Sequence, residues 1–529
     1  MKALPHAHPV LTGQQAREFE PTVLKDEAAE WRAMKCAGQG IAAAIIRDYQ
    51  ELLPVPDHLQ IVALIGKGNN AGDALIACAE FLATYPRASV TLLMSSDKDH
   101  FKPLAKRAYD QLEGRVAKHI LAEVTDAQEV VSLLTEISDG ECIDICLDGL
   151  LGVSFQPPLR AATRVIVEGA NQYADIRLRA SVDLPSGRGD VSDEVAFEAQ
   201  FTYATGIAKQ SLFDGLATCG RVRYVDLGFF DTAPGDELES VEHVLQPRVL
   251  APLQKLRPAA VDKRKFGHLF IVGGSAYMPG ALLMAVQAAV RSGVGLVTAF
   301  APQSVTSILS AQVPEAMWVP WPETPNGTLN PRALPLLIDR LGYGSAVLCG
   351  PGLGRDRSTE MLAQEIIKQV HLPLILDADA LRLKAMELAL KRKSDFGPLI
   401  LTPHMGEFMR VAKLSEVDFS LDTLMAFCRN NRVMTVLKGA ITGICDGESV
   451  LYNTHGGPVL SRGGSGDLLS GLIGGMVAQG SVDTQTAVAR GVMLHALAAQ
   501  RLAREKGQVM VNATQLLDYL PEVLRNDLG

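Results

Sequence analysis

Gly463-Gly464-Ser465-Gly466-Asp467 sets four small residues before one carboxylate, and the helical pattern Leu468-Leu469-Ser470-Gly471-Leu472-Ile473 follows. Small residues leave main-chain N–H groups open to an anion where a helix dipole is positive. A carboxylate beside such a hole repels the anion, so its chemical use is as a base. Asp467 would take a proton from a hydroxyl that attacks phosphorus. The plainer alternative, a capping aspartate, loses ground as neighbouring pieces accumulate. Lys438-Gly439-Ala440-Ile441-Thr442 follows the strand pattern 433–437 and offers a cation and main-chain donors for nucleotide phosphate. Thr402-Pro403-His404, Asp377-Ala378-Asp379 and Gly350-Pro351-Gly352-Leu353-Gly354 each end another strand pattern, which places His404 to touch substrate.

The N-terminal half carries a second set. Gly66-Lys67-Gly68-Asn69-Asn70-Ala71-Gly72-Asp73 follows an apolar strand and opens a helix. Its first six residues have the form of a dinucleotide fingerprint, but the acidic residue expected after the next strand is replaced by Leu92-Leu93-Met94-Ser95-Ser96. A conventional dinucleotide fold is therefore disfavoured, while anion contact at the helix N-terminus survives. Two further strand ends bear Asp148-Gly149-Leu150-Leu151-Gly152 and Asp183-Leu184-Pro185-Ser186-Gly187. Ligands gather outside the carboxyl ends of parallel strands. Asn70, Asp148 and Ser186 could there offer oxygen ligands to a hard monovalent cation, although Asp148 or Asp183 alone would more often be a helix cap.

These loops need a scaffold. Short apolar runs at 60–65, 89–93, 142–147 and 178–182 alternate with helical patterns, the signature of βαβ units with a mostly parallel sheet covered on both faces. The first fifty residues read as helical, with one apolar-spaced stretch from Thr22 to Tyr49. The acidic stretch from Asp231 to Glu242 and the prolines after it predict a linker near 232–250. The strand–helix rhythm resumes at His268, giving domains 1–235 and 245–529. A chain of 529 residues supports two such cores. The net charge of −9 invites neither nucleic acid nor an anionic membrane. Eight scattered cysteines without metal spacing, no apolar leader and no bilayer-length apolar run point to a soluble protein of a reducing cytoplasm.

The motifs at 68–73, 148–152 and 182–187, with Met34-Lys35-Cys36-Ala37-Gly38 upstream, resemble the NAD(P)HX epimerase domain, the YjeF N-terminal family, over roughly 10–230. The resemblance implies potassium held by Asn70, Asp148 and Ser186. It implies contacts to the hydrated cofactor from Asn69, Asn70, Ala71, Gly72 and Asp73, from Gly152, Val153, Ser154, Phe155, Gln156, Pro157 and Pro158, and from Asp183. Asp183 would be the acid/base at the C6 carbinol, with Lys209 a second polar candidate. Departures from the family are Lys67 for proline, Ala71 for glycine and Glu20 for aspartate.

Downstream, Lys265-Phe266-Gly267-His268, Gly273-Gly274-Ser275, Pro279-Gly280-Ala281 and Arg291-Ser292-Gly293-Val294-Gly295 join the loops already described. Together they resemble the ribokinase-like superfamily, and more narrowly ADP-dependent NAD(P)HX dehydratase, over about 250–525. The implied fold is α/β in two domains, a Rossmann-like three-layer sandwich followed by a ribokinase-like three-layer sandwich. By the same resemblance Ala281, Gly352 or Gly354, His404 and Asp467 contact NAD(P)HX. Lys438 to Thr442 and Gly466 hold ADP, with magnesium expected beside it. The stretch Asn453 to Arg462 departs from the family, and Arg462 either assists phosphate binding or belongs to a changed loop. A bifunctional repair enzyme follows as the expectation: epimerisation of R- and S-NAD(P)HX, then dehydration of the S form with ADP converted to AMP and phosphate. A homo-oligomer is expected as well. The rival is a ribokinase-like kinase of a vitamin precursor, carrying a non-catalytic N-terminal binding module.

Overall fold

Alternate residues of the apolar strands face opposite cores, and this makes each half of the chain a three-layer structure. The computed structural model describes all residues except 1–5, 233–234, 236–237, 383–386, 390–391, 416–417 and 527–529. In the strand Gln60–Ile65, Ile61, Ala63 and Ile65 enter one apolar cluster while Val62 and Leu64 enter another. In His268–Val272, Leu269 and Ile271 face one cluster, Phe270 and Val272 the other. Only a sheet with helices on both faces buries both sets. Two compact units result, His8–Ser240 and Val241–Gly529, the latter taking in His6 and Ala7 as well.

The N-terminal unit is built on a parallel sheet in the order Ala117–Ile120, Ser89–Met94, Gln60–Ile65, Ile143–Gly149, Ile176–Val182, Phe201–Thr205 and Arg221–Val225. The chain leaves Gln60–Ile65 in one direction and returns on its other side at Ile143–Gly149. The glycine-rich loop after Ile65 and the Asp148 loop therefore flank a topological switch point, where such sheets bind ligands. The Thr22–Tyr49 stretch proves to span a helix boundary: it takes in the end of Gly13–Val23, a break at 24–26 and the whole of Glu27–Tyr49. Asp26 starts the second by accepting from the Ala29 N–H, a cap that apolar spacing conceals. Glu27–Tyr49 packs closely on Asn69–Thr84: a Cβ at Gly72 would lie 2.5 Å from Met34, and one at Gly38 2.5 Å from Ile76. A short parallel pairing sets Val10 and Leu11 against Ala208 and Lys209.

In the C-terminal unit the strand order is Met317–Trp321, Leu296–Pro302, His268–Val272, Ala346–Cys349, Leu374–Leu376, Leu399–Leu401, Val433–Leu437, Thr442–Cys445, Val450–Asn453 and Glu242–Leu245. Pairing is parallel up to Val433–Leu437, and Thr442–Cys445 then runs antiparallel to both its neighbours. Glu242–Leu245 corrects the expected linker: these four residues form a buried strand parallel to Val450–Asn453. The Glu242 carboxylate accepts from the Tyr452 hydroxyl at 2.7 Å, so an acid that looked solvated is paired. No helix among the described residues is long and apolar enough to cross a membrane.

Candidate functional site

Gly66 lets two strand-end loops of the N-terminal unit meet. A Cβ there would sit 1.9 Å from the Leu150 carbonyl oxygen, so no other residue fits the approach. The helix Asn69–Thr84 starts at Gly68 with no side-chain cap, leaving its first N–H groups to face a cavity of about 460 Å³. Asn69, Asn70, Asp73, Gly152, Val153, Ser154, Phe155 and Asp183 line that cavity. Ala71 is buried behind this surface, Gly72 packs on Met34, and Gln156, Pro157 and Pro158 stand outside the wall. Arg17, Glu20, Lys67, Lys102, Thr205 and Phe229 also line it and were not assigned to the site from sequence. They come from five separate stretches of chain, which no local motif connects.

Asp183 adopts φ 63°, a left-handed conformation that turns its side chain back into the site. Its carboxylate accepts from the Lys209 ammonium at 2.5 Å, both groups being buried. The 208–209 pairing with Val10 and Leu11 holds that lysine in place. Glu20 and Asp73 share the field. Burial pushes the Asp73 carboxyl well above the usual carboxylate range, the charges of Asp183 and Glu20 add to this, and Lys209 opposes it. Burial likewise raises Glu20 against the pull of Lys209. One ammonium cannot neutralise three carboxylates in low dielectric, so protons are retained beside the ion pair.

Beneath the cavity, Asp148 is fully buried. It accepts from the Leu150 N–H at 3.1 Å, the Ser186 N–H and hydroxyl at 2.7 and 2.6 Å, and the Ser181 hydroxyl at 3.2 Å. Burial raises its pKa, partly offset by the Ser186 bonds. Among the described residues no cationic side chain pairs with it. The Asn70 amide donates to the Leu151 and Val182 carbonyl oxygens, each at 2.9 Å. Neither Asp148 nor Asp183 caps a helix. An unneutralised buried carboxylate among hydroxyl, amide and carbonyl oxygens is a donor set that fits a hard monovalent cation.

In the C-terminal unit, five neighbouring strands deliver their loops to one edge of the sheet. Gly350 has φ 139°, and a Cβ there would stand 1.8 Å from the Asp377 carbonyl oxygen, so the two loops touch. Gly352 places its α-carbon face against the Met278 carbonyl and Ala281. The Gly354 N–H donates to Asp379 at 3.0 Å. Asp377 accepts from the Thr402 hydroxyl at 2.7 Å and the Lys438 ammonium at 3.2 Å. Lys438 also reaches the anion hole, its Nζ lying 3.3 Å from where a Gly466 Cβ would be. His404 pairs with Lys438 in a parallel bridge and caps the helix Met405–Ala412, its exposed ring facing outward. Gly439 and Ala440 form an exposed hairpin tip, with Ile441 and Thr442 half-buried beside it.

Gly464 takes φ 91° and starts the helix Ser465–Ala478 without a side-chain cap. Asp467 sits in the first turn, where the dipole alone would stabilise its charge. Burial nevertheless pushes its carboxyl up to about 7, Asp377 and Asp379 add to the rise, and Lys438 opposes it. Burial pulls the Lys438 ammonium down, but Asp377, Glu407 and Asp467 together hold it above its usual value. Behind the loop, burial drives His495 down to about 4, a neutral ring 3.4 Å from the Ser465 hydroxyl. Arg462 donates to the Val459, Gln508 and Val511 carbonyl oxygens, so its guanidinium ties the loop to the 508–511 segment.

A family model described as NAD(P)H-hydrate dehydratase matches residues 269–522, and one described as YjeF-related protein N-terminus matches 31–211. The bifunctional NAD(P)H-hydrate repair enzyme Nnr of Moorella thermoacetica is 31% identical over 507 residues, 93% of this chain and 92% of the relative. That of Thermofilum pendens is 30% identical over 537 residues, 96% of each chain. A solved ADP/ATP-dependent NAD(P)H-hydrate dehydratase from Bacillus subtilis, co-crystallised with ATP and Mg²⁺, is 29% identical, covering 51% of this chain and 93% of that one with a TM-score of 0.43. Since two family models match in chain order and relatives align along more than nine-tenths of it, the chain belongs to the family of bifunctional NAD(P)H-hydrate repair enzymes.

Proposed function

We propose that the N-terminal unit interconverts R- and S-NAD(P)HX and that the C-terminal unit dehydrates the S epimer to NAD(P)H, converting ADP to AMP and phosphate. The observation that carries this is Asp467, a carboxyl poised at about 7 on an open helix N-terminus beside Lys438. Water leaves poorly from C6 at neutral pH. Asp467 takes the proton of the C6 hydroxyl, whose oxygen attacks the terminal phosphorus of ADP as AMP departs. The ring-nitrogen lone pair then expels phosphate, and loss of a proton from C5 restores the double bond. Lys438, Gly466 and the 439–442 hairpin would hold the nucleotide, with Ala281, Gly352 or Gly354 and His404 against NAD(P)HX. Asp377, Asp379 and Asp467 do not converge as a ligand cluster among the described residues, so a magnesium ion would be held chiefly by the nucleotide phosphates, where it would supply charge neutralisation.

In the N-terminal unit, Asp183 takes the proton of the C6 hydroxyl as the bond from C6 to the ring nitrogen opens to an aldehyde, and re-closure on the other face returns the proton to that oxygen. Lys209 holds the Asp183 carboxylate in orientation, and Asp73, raised well above the usual carboxylate range by burial, is the acid that faces the departing nitrogen. Potassium would be held by Asn70, Asp148 and Ser186, supplying the positive charge that Asp148 lacks. The kinase reading explains neither the retained Asp73, Asp183 and Lys209 cluster nor relatives named as repair enzymes that cover both units.

The test is to incubate mixed NADHX epimers with ADP or with ATP and follow NADH by absorbance. Full recovery with ADP is expected. Recovery that stops at the S fraction, beyond spontaneous epimerisation, would remove the N-terminal activity, and no recovery with either nucleotide would remove the whole reading.

A further inference from the structure

The C-terminal unit holds a second cavity, of about 650 Å³, at the carboxyl end of the helix Ser465–Ala478. Met476 and Gln479 contribute to it, about 14 Å along the helix from Asp467. The repair chemistry makes no use of it. Its floor is apolar: Leu494, Leu517 and Leu520 are 4%, 3% and 5% exposed. The size lies within the roughly 300–1,000 Å³ of small-molecule sites.

The mouth has the opposite character. Lys255, Arg257 and Arg291 border it against a single carboxylate, Asp518, which already accepts from Arg291 at 2.7 Å. Arg257 is fixed there, its guanidinium 4.0 Å over the Phe266 ring and donating to the Gly293 carbonyl at 2.9 Å. Lys255 makes no ion pair among the described residues. The helices Pro279–Arg291 and Ser465–Ala478 both end at this cavity, each bringing about half a negative charge. That halves the surplus of two cations without reversing it. In a chain of net charge −9, a cationic mouth over an apolar hollow is a local exception.

We propose that this cavity binds an amphipathic carboxylate of the medium-chain fatty-acid class, with its chain on the leucine floor and its head at Lys255 and Arg257. The proposal is independent of the repair reaction. Calorimetric titration of the full chain with decanoate, decanol and decyltrimethylammonium tests it. Decanoate is expected to bind saturably, decanol more weakly and the ammonium not at all. Lys255→Glu, an exposed change that spares the core, is expected to weaken decanoate about fivefold while leaving decanol unchanged. Leu253→Asp, which puts a charge in the wall, is expected to abolish binding of both decanoate and decanol. Since Leu253 packs on the apolar cluster the midpoint will fall, and binding is compared at a temperature where the variant is fully folded. Decanol binding as tightly as decanoate, or decanoate indifferent to Lys255→Glu, would overturn the assignment. Absence of saturable decanoate binding would overturn the site itself.

Discussion

In both candidate sites burial is the first cause that raises a carboxyl group, and the two differ in the charges set around it. In the N-terminal unit, Glu20, Asp73 and Asp183 surround one ammonium, and burial dominates the rise at both Glu20 and Asp73. In the C-terminal unit, Asp467 stands on a helix N-terminus between Lys438 and the pair Asp377 and Asp379, and comes to about 7. Burial with too few cations makes acids that hold their protons. At Asp467 burial again leads, and Lys438 set against Asp377 and Asp379 leaves a carboxyl at about 7 that can release its proton and take it back. The proposed reactions use that difference, because epimerisation returns the proton to the same oxygen after the ring has opened and re-closed, whereas phosphoryl transfer commits that oxygen to phosphorus.

The comparison can be broken in graded ways. Asp467→Asn is expected to slow ADP-dependent dehydration by about 10²–10⁴-fold while leaving R/S interconversion intact, read by NADH recovery from separated epimers. Equal loss of both activities would deny that the sites are separate. Asp183→Asn should slow epimerisation by about 10²-fold with S-epimer dehydration unchanged, and Lys209→Met should follow it if the pair acts together. Unchanged epimerisation would dismiss Asp183 as the acid/base.

Charge tuning at Asp467 has a direction that pH profiles of kcat can read. The base must be ionised, so the rate should rise with pH through about 7. Lys438 lowers the Asp467 pKa and Asp377 raises it, so Lys438→Met should shift the limb to higher pH and Asp377→Asn to lower. Shifts in the same direction for both would refute opposed tuning. Stability carries the same signature. A carboxyl raised in the fold binds its proton more tightly there than in the unfolded chain. It therefore favours the native state at low pH, and this contribution is lost from about pH 4 to about 7. The melting temperature of Asp467→Asn relative to the parent should climb across that window. The smallest expected effect belongs to Arg462→Met, a loss of about 1–3 kcal/mol with KM for ADP unchanged. A raised KM would restore a phosphate-binding role to Arg462.

Strand ends were the most legible part of the sites. Glycine clusters after apolar runs pointed to Gly66–Asp73, Gly350–Gly354 and Gly463–Asp467 because both the turn and the anion contact demand residues without side chains. Glu20, Arg17 and Lys102 carried no such mark. A charged residue on a helix or loop looks the same whether it faces solvent or a cavity. The strand Glu242–Leu245 was hidden for a related reason, since its glutamate reads as solvated until Tyr452 is placed against it. Helical spacing from Thr22 to Tyr49 concealed a boundary because apolar periodicity runs on through a cap.

Sequence alone determined the α/β class, the two-core organisation and the chemical character of each strand-end loop. Those properties depend on local periodicity, on backbone conformations open only to glycine, and on residue types within a few positions of one another. Tertiary structure decided the electrostatics. Lys209 meets Asp183 across 26 positions and Lys438 meets Asp377 across 61. Whether Asp467 is an ordinary acid or a base near neutrality depends on burial and on charges brought from other strands. The partners of Arg462 come from the fold as well, carbonyl oxygens of Gln508 and Val511 that lie nearly fifty residues along the chain. A pKa is a sum over neighbours in space, and chain order does not record them.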